Sequence, residues 1–168
     1  MRLNVGSKVI YPSQGPCRIG PVVQKIVAGS PISFYRLMLL DESGGELFVP
    51  VDKAQASGLR LPLKRSEIPK LLGQLQQPTA AVKDWRQRAK DNLQRLASGS
   101  PFDLAEIVES LTERSVTKEL SFPEKRMLDK ARRLLVGELA EVLRKKKSFT
   151  EELIDQALNA RKMAGVGE

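Results

Sequence analysis

The stretch LPLKRSEIP, Leu61–Pro69, divides the sequence into two parts with different periodicity. Before it, from about Val5, short runs rich in Val, Ile, Phe and Tyr alternate with Gly-, Ser- and Pro-containing turns, a pattern typical of strands. After it, apolar residues recur with a helical period. The sequence therefore predicts a two-domain α+β chain. Residues 1–63 are expected to form a small, strongly bent β-barrel, and residues 64–168 a compact all-α bundle of about five helices.

Helix starts in the second part are marked by capping residues. Ser121 with Glu124 three positions later matches a capping box, and this fourth helix is predicted to reach about Lys147. A serine or threonine stands at each of the other predicted starts. These are Ser66, Thr79, Ser100 and Ser148.

Composition restricts the classes of function. With no histidine in the chain, His-based nucleophile pairs and imidazole metal ligands are excluded, so we expect no catalytic residue, metal site or cofactor. Cys17 is the single cysteine; it cannot form an internal disulfide, which fits a cytoplasmic protein. No apolar run approaches a membrane span. The 28 Lys+Arg against 20 Asp+Glu favour a polyanionic partner, nucleic acid above all.

Positive charge is concentrated in two predicted helices. Residues 82–96 carry five cations against two carboxylates, and residues 124–147 carry nine against four. In the first helix Val82, Ala89, Leu93 and Leu96 are predicted to form the buried stripe, with Trp85, the only tryptophan, at its edge. In the fourth helix the predicted stripe is Leu128, Ala131, Leu135, Leu139 and Val142. From the residues alone Trp85 has two interpretations: a core residue at the rim of the bundle, or an exposed ring that meets nucleic acid.

The chain resembles the CarD family of bacterial transcription regulators. The resemblance rests on Val9-Ile10-Tyr11-Pro12 near the N-terminus and, more specifically, on Trp85, Leu96-Ala97-Ser98-Gly99 and Glu124-Lys125-Arg126-Met127-Leu128. It implies a Tudor-like, SH3-like N-terminal domain that binds a lobe of the RNA polymerase β subunit. It also implies a helical DNA-binding domain that stabilises the promoter-open complex, with the protein located on the nucleoid through the polymerase.

The resemblance assigns roles to residues of this chain. Trp85 would be a wedge in the minor groove at the upstream edge of the transcription bubble, near the −10 element. The DNA backbone contacts would be Arg86, Arg88, Lys90, Lys125, Arg126 and Lys130. The polymerase contacts would be Lys25, Ile26, Val27, Leu47, Phe48 and Val49, through strand edges.

Two residues depart from the family pattern. Gln87 stands where some members have a basic residue, so the phosphate contacts would shift to Arg86 and Arg88. Phe48 stands where others carry an arginine, so that polymerase contact would be apolar. A monomer is expected. Two alternatives remain: an architectural protein that binds and bends duplex DNA without polymerase, and a protein-interaction adaptor in which the cations only confer solubility.

Overall fold

The computed structural model describes residues 3–77 and 84–166, apart from the side chains of Trp85 and of residues 161–166. The chain divides into two compact units, Met1–Pro62 and Leu63–Glu168. Each unit has a hydrophobic core of its own, seven buried residues around Leu37 in the first and a larger cluster around Leu135 in the second. The predicted order, a β-unit followed by a helical region of five helices, is confirmed for the described residues.

The first unit is a four-stranded antiparallel sheet in the order β1-β2-β3-β4. Its strands are β1 (Lys8–Tyr11), β2 (Gly15–Val27), β3 (Ser30–Leu39) and β4 (Glu46–Pro50). The sheet is open, so the closed, Tudor-like barrel expected from the sequence is not confirmed. With four and five residues, the edge strands β1 and β4 are short, and no pairing joins them in the described residues. A single bridge from Arg60 to Ile10 lies on the outer edge of β1.

The hairpin of β2 and β3 extends beyond the core. The pairing register shifts between Ile19 and Val22, where Gly20-Pro21 interrupts β2. Ile19 is buried before the shift, whereas Val22 and Ile26 after it are 50% and 79% exposed. The two-residue turn uses Ala28 and Gly29, both with positive φ, as the tight turn of a twisted hairpin requires. The far half of this hairpin therefore presents apolar side chains to solvent.

The helices of the second unit are built around a core of leucine, isoleucine, valine and alanine. They are α1 (Ile68–Leu75), α2 (Trp85–Ser98), α3 (Pro101–Thr117), α4 (Phe122–Leu143) and α5 (Lys147–Val166). The predicted apolar stripe of α4 is confirmed, since Ala131, Leu135 and Leu139 are almost fully buried. Burial of each such leucine stabilises the unit by about 1.5–3 kcal/mol.

One buried carboxylate fastens the start of this unit to its core. Glu138 on α4 is 1% exposed, and its Oε2 accepts a hydrogen bond from the backbone N–H of Leu63 at 2.8 Å. A hydrogen bond to a charged acceptor contributes about 1.5–3 kcal/mol. The bond fixes the backbone before the short 3₁₀ turn Arg65–Glu67.

The capping box of α4 is confirmed, but other predicted helix boundaries are wrong. Ser66 lies inside the 3₁₀ turn and Ser148 inside α5, so neither is the cap of its helix. Ser121 accepts from the Glu124 N–H, and Glu124 accepts from the Ser121 N–H. Helix α4 ends at Leu143 rather than Lys147, because Arg144 adopts a left-handed conformation with φ of 54°. The predicted cap Thr79 lies outside the described residues, and α2 begins only at Trp85 because Asp84 is extended, with φ of −148°.

Candidate nucleic-acid interface and sheet edge

Helix α2 starts at Trp85 because of the residue before it. The Asp84 carboxylate accepts a hydrogen bond from the Arg86 N–H at 3.1 Å, which satisfies one of the free donors at the helix start. The backbone thus places Trp85 at the first helical position. Its side chain lies outside the described part of the structure, so its role as a wedge stays a prediction.

The buried face of α2 is not the predicted apolar stripe, of which Val82 lies outside the described residues. Leu93 is 60% exposed, whereas Asn92 is 3% exposed. The Asn92 Oδ1 accepts from Arg95 Nη1 at 3.0 Å, and Arg95 Nη2 lies 3.1 Å from Glu106 of α3. One ion pair with α3 and one hydrogen bond within α2 therefore accompany a rotation of α2 that buries Asn92 and turns Leu93 outward.

This rotation separates the three cations predicted to contact phosphates. Arg86 and Lys90 are exposed, and at about 100° per residue they share a face with Leu93. Arg88 lies on the opposite side, half-buried, with a buried Nη1 that has no hydrogen-bond partner among the described atoms. The geometry thus brings Arg86 and Lys90 together at the surface and directs Arg88 inward.

Arg88 lines an apolar cavity of about 630 Å³ between α2, α3 and α4. At its wall Arg114 Nε lies 2.8 Å from Glu124 Oε2. Partial burial opposes ionisation of Glu124, but hydrogen bonds from Ser121 and the charges of Arg114 and Arg88 lower the pKa of this carboxyl. Arg88 therefore contributes to a polar cluster that holds the start of α4.

The predicted contacts on α4 lie beside an exposed phenylalanine that the sequence analysis passed over. Lys125 and Arg126 are exposed and Lys130 is half-buried. Phe122 is 71% exposed, with the Arg126 guanidinium 5.8 Å from its ring centroid. A shallow groove of about 740 Å³ runs from Leu93 of α2 to these residues. Phe122 is the first residue of α4, directly after its cap Ser121, and the helical period alone did not mark it as exposed.

In the sheet unit, the two predicted polymerase segments meet through one contact. Lys25 Nζ of β2 lies 3.6 Å from the ring centroid of Phe48 on β4. Phe48 is 40% exposed and is paired across the ladder with Arg36. Arg36 forms an ion pair with Glu46. The hydrogen bond that the Arg36 guanidinium donates to Glu46 lowers the pKa of the Glu46 carboxyl. Phe48 is therefore an apolar ring within a row of charged residues.

The remaining predicted polymerase residues are placed differently. Ile26 and Val27 are exposed at the end of β2, Leu47 is half-buried, and Val49 is 4% exposed in the core. The side chain of Val49 cannot reach a partner without disrupting the core, so Val49 packs inside the sheet unit and does not provide a side-chain contact.

Other chemistry is restricted in the described residues. Burial raises the pKa of the Cys17 thiol to about 11, so this thiol stays protonated at neutral pH. No helix in the described ranges is long and apolar enough to cross a membrane.

Comparison with known proteins identifies the family. The model of the CarD C-terminal domain matches residues 70–155, and the model of the CarD-like/TRCF RID domain matches residues 3–61. The chain belongs to the CarD family. The first match covers the helices that carry Trp85 and Phe122, and the second covers the whole sheet with Lys25 and Phe48. CarD proteins are a transcription-factor type of family rather than an enzyme family.

The chain is also similar to one curated protein and to one solved structure. The putative transcription factor YdeB of Bacillus subtilis (strain 168) is 26% identical over 151 residues, which is 89% of this chain and 95% of that protein. The solution NMR structure of the 72-residue N-terminal domain of Myxococcus xanthus CarD is 38% identical, with a TM-score of 0.31. The match covers 36% of this chain and 79% of the chain in that NMR structure.

Proposed function

We propose that this CarD-family protein binds the RNA polymerase β subunit through its sheet unit and stabilises the promoter-open complex through its helical unit. The observation that carries the proposal is the pair of family matches, one in each unit. In this mechanism Trp85 enters the minor groove at the upstream edge of the transcription bubble, near the −10 element. Arg86 and Lys90 on α2, with Lys125, Arg126 and Lys130 on α4, contact the flanking phosphates.

The edge of β4 supports an attachment by strand addition. The Leu39 N–H donates to the Gly45 carbonyl at 2.9 Å, and hydrogen-bonded pairs alternate along an antiparallel ladder. By this alternation the backbone groups of Leu47 and Val49 point to β3, while those of Phe48 point to the open edge. A strand of the polymerase would bond to that edge, and the Phe48 ring beside Lys25 would provide a side-chain contact.

The start of α2 supports the wedge. A residue at the first helical position stands at the end of the rod, where it can reach a groove without a steric clash from preceding turns of the same helix. An aromatic side chain on an unstacked base contributes about 1–3 kcal/mol. Such a contact, made only with the open state, would shift the balance between open and closed promoter by about one to two orders of magnitude. Attachment to polymerase raises the local concentration to about millimolar, so weak DNA affinity suffices.

The test is the lifetime of open promoter complexes after a competitor challenge. It compares polymerase alone with polymerase plus the wild-type protein, Trp85→Ala or Phe48→Ala. We expect the wild type to lengthen the lifetime. Trp85→Ala should lose most of the effect while it still binds polymerase, and Phe48→Ala should require a higher protein concentration for the same effect.

Two results would contradict the proposal. If the wild-type protein leaves the lifetime unchanged, the family mechanism does not operate here, and bending of duplex DNA without polymerase becomes the first alternative. If folded Trp85→Ala retains the full effect, the wedge is wrong even if the polymerase contact is right. Circular dichroism melting of each variant checks that it remains folded.

A further inference from the structure

The turn between α4 and α5 carries the densest run of positive charge in the chain. Four consecutive cations occupy it, Arg144, Lys145, Lys146 and Lys147, and all four are exposed. Phe149, 44% exposed, lies beside them, with Lys145 Nζ 5.5 Å from its ring centroid. None of the residues assigned to DNA or polymerase lies in this turn.

Local stability explains these four residues only in part: the negative end of the α4 dipole favours cations just after Leu143, but two of the four positions are unfavourable for other reasons. Arg144 has φ of 54°, a conformation that suits glycine after a helix and strains other residues. Lys147 is the first residue of α5, which has no acidic residue in its first turn, although the positive end of a helix dipole favours carboxylates. Two of the cations thus occupy positions where the backbone favours a glycine and an acid. Their placement is better explained by an anionic partner.

The geometry of α4 relates this turn to the predicted DNA contacts. Arg126 and Arg144 are separated by 18 residues, or about five helical turns, so their Cα atoms lie on the same side of α4. Lys130 and Arg133 belong to the same side. At about 1.5 Å per residue the two arginines are about 27 Å apart, the length of about eight base pairs at 3.4 Å each. One side of α4 thus carries cations at both ends, with the buried Ala140 between them.

We infer that the turn 144–147 is a second contact for the phosphate backbone of duplex DNA, about eight base pairs from the contact at Arg126. This inference rests on the proposed DNA-binding role of the helical unit. A linear polyanion matches two clusters of cations on one line, whereas an anionic membrane surface would require a broad apolar face beside the cations. The turn binds phosphates without reading sequence, so it adds affinity and salt dependence.

The experiment measures binding of the full-length protein to a 20-base-pair duplex and to a hairpin with a stem of about six base pairs, over a range of salt concentrations. No polymerase is present. The test variant replaces Lys145, Lys146 and Lys147 by Gln. The matched control replaces three exposed lysines of other elements, Lys53, Lys64 and Lys118, by Gln and so removes the same charge.

We expect the turn variant to reduce the salt slope on the long duplex by about 1–3, because each phosphate that the protein neutralises contributes about 0.9 to the slope. On the short stem, which spans only one cluster at a time, its reduction in affinity should be several-fold smaller. The control should change the slope by less than about 0.9 on both DNAs. Equal reductions for the two variants would show a net-charge effect only and would overturn the inference.

A second variant separates binding from folding. Arg144→Gly relieves the positive φ, so we expect a thermal midpoint that is unchanged or higher, together with weaker binding to the long duplex. Full affinity in this variant and in the triple variant would refute the inference. So would unchanged duplex binding with a loss of binding to phosphatidylserine vesicles, which would assign the turn to a membrane. These outcomes are independent of the open-complex lifetime, because no polymerase and no Trp85 contact is required.

Discussion

The N-cap of α2 offers the most direct link between a hydrogen bond and the proposed activity. Asp84 accepts from the Arg86 N–H at 3.1 Å and so fixes the turn that presents Trp85. Replacing an N-cap aspartate by alanine costs about 1 kcal/mol, within a range of about 0.5–2. At about 1.4 kcal/mol per tenfold change, the frayed first turn would become about five times more populated. We expect Asp84→Ala to shorten the open-complex lifetime conferred by the protein by up to about fivefold.

Charge and capping are separated by a second substitution at the same position. Asp84→Ala and Asp84→Asn both remove a negative charge, which would favour DNA binding, but asparagine retains the cap. The informative quantity is the ratio of open-complex lifetimes with the two variants. Amide hydrogen exchange of residues 86–88 should be faster in Asp84→Ala alone. Equal lifetimes and equal exchange in both variants would refute the reasoning, because the cap would then not control the start of α2.

Three further predictions concern stability and pH. Leu135→Ala should lower the free energy of unfolding in urea by about 2–5 kcal/mol. Leu93→Ala, at an exposed position, should change it by less than about 0.5 kcal/mol. Similar losses of stability in the two variants would contradict the assigned core. Glu138→Ala should lower the free energy of unfolding by about 1.5–3 kcal/mol, since the Leu63 N–H loses its charged acceptor. An unchanged free energy of unfolding would mean that water replaces the carboxylate. The pKa of Glu124 is lower in the folded state than in the unfolded state. The ionised carboxylate therefore stabilises the fold above the unfolded pKa of about 4.3, and this stabilisation is lost as pH falls through the folded-state pKa. The stability difference between wild type and Glu124→Gln should therefore shrink from pH 6 to pH 3, and a constant difference would contradict the shift.

Local signals in the sequence predicted much of the fold. The Ser121 capping box and the stripe of α4 depend on residues three to four apart, and such neighbours meet in any α-helix. The change from strand to helical period near Leu63 depends only on which residues are apolar. These features were confirmed because tertiary contacts do not alter them.

The predictions failed where a contact between residues far apart in sequence, or a single backbone angle, determines the structure. The rotation of α2 follows from Asn92, Arg95 and Glu106, which are on two helices, so a stripe counted on one helix predicted the wrong face. The end of α4 follows from the left-handed Arg144, a conformation that an arginine does not signal. The barrel is not confirmed, because closing a sheet requires its edge strands to meet in space, which alternation along each strand does not determine.

The backbone turn at Gly99 sets the direction of α2 and therefore the position of its first residue. Gly99 is left-handed, with φ of 68°, and Arg95, four residues before it, carries the contact with Glu106 of α3 described above. The helix has 14 residues and is about 21 Å long, and Trp85 is at the end farthest from Gly99. A rotation of about 5° at the turn would displace the far end by about 2 Å. A substitution at Gly99 can therefore displace the backbone of Trp85 from about 20 Å away, without changing any residue that is proposed to contact DNA.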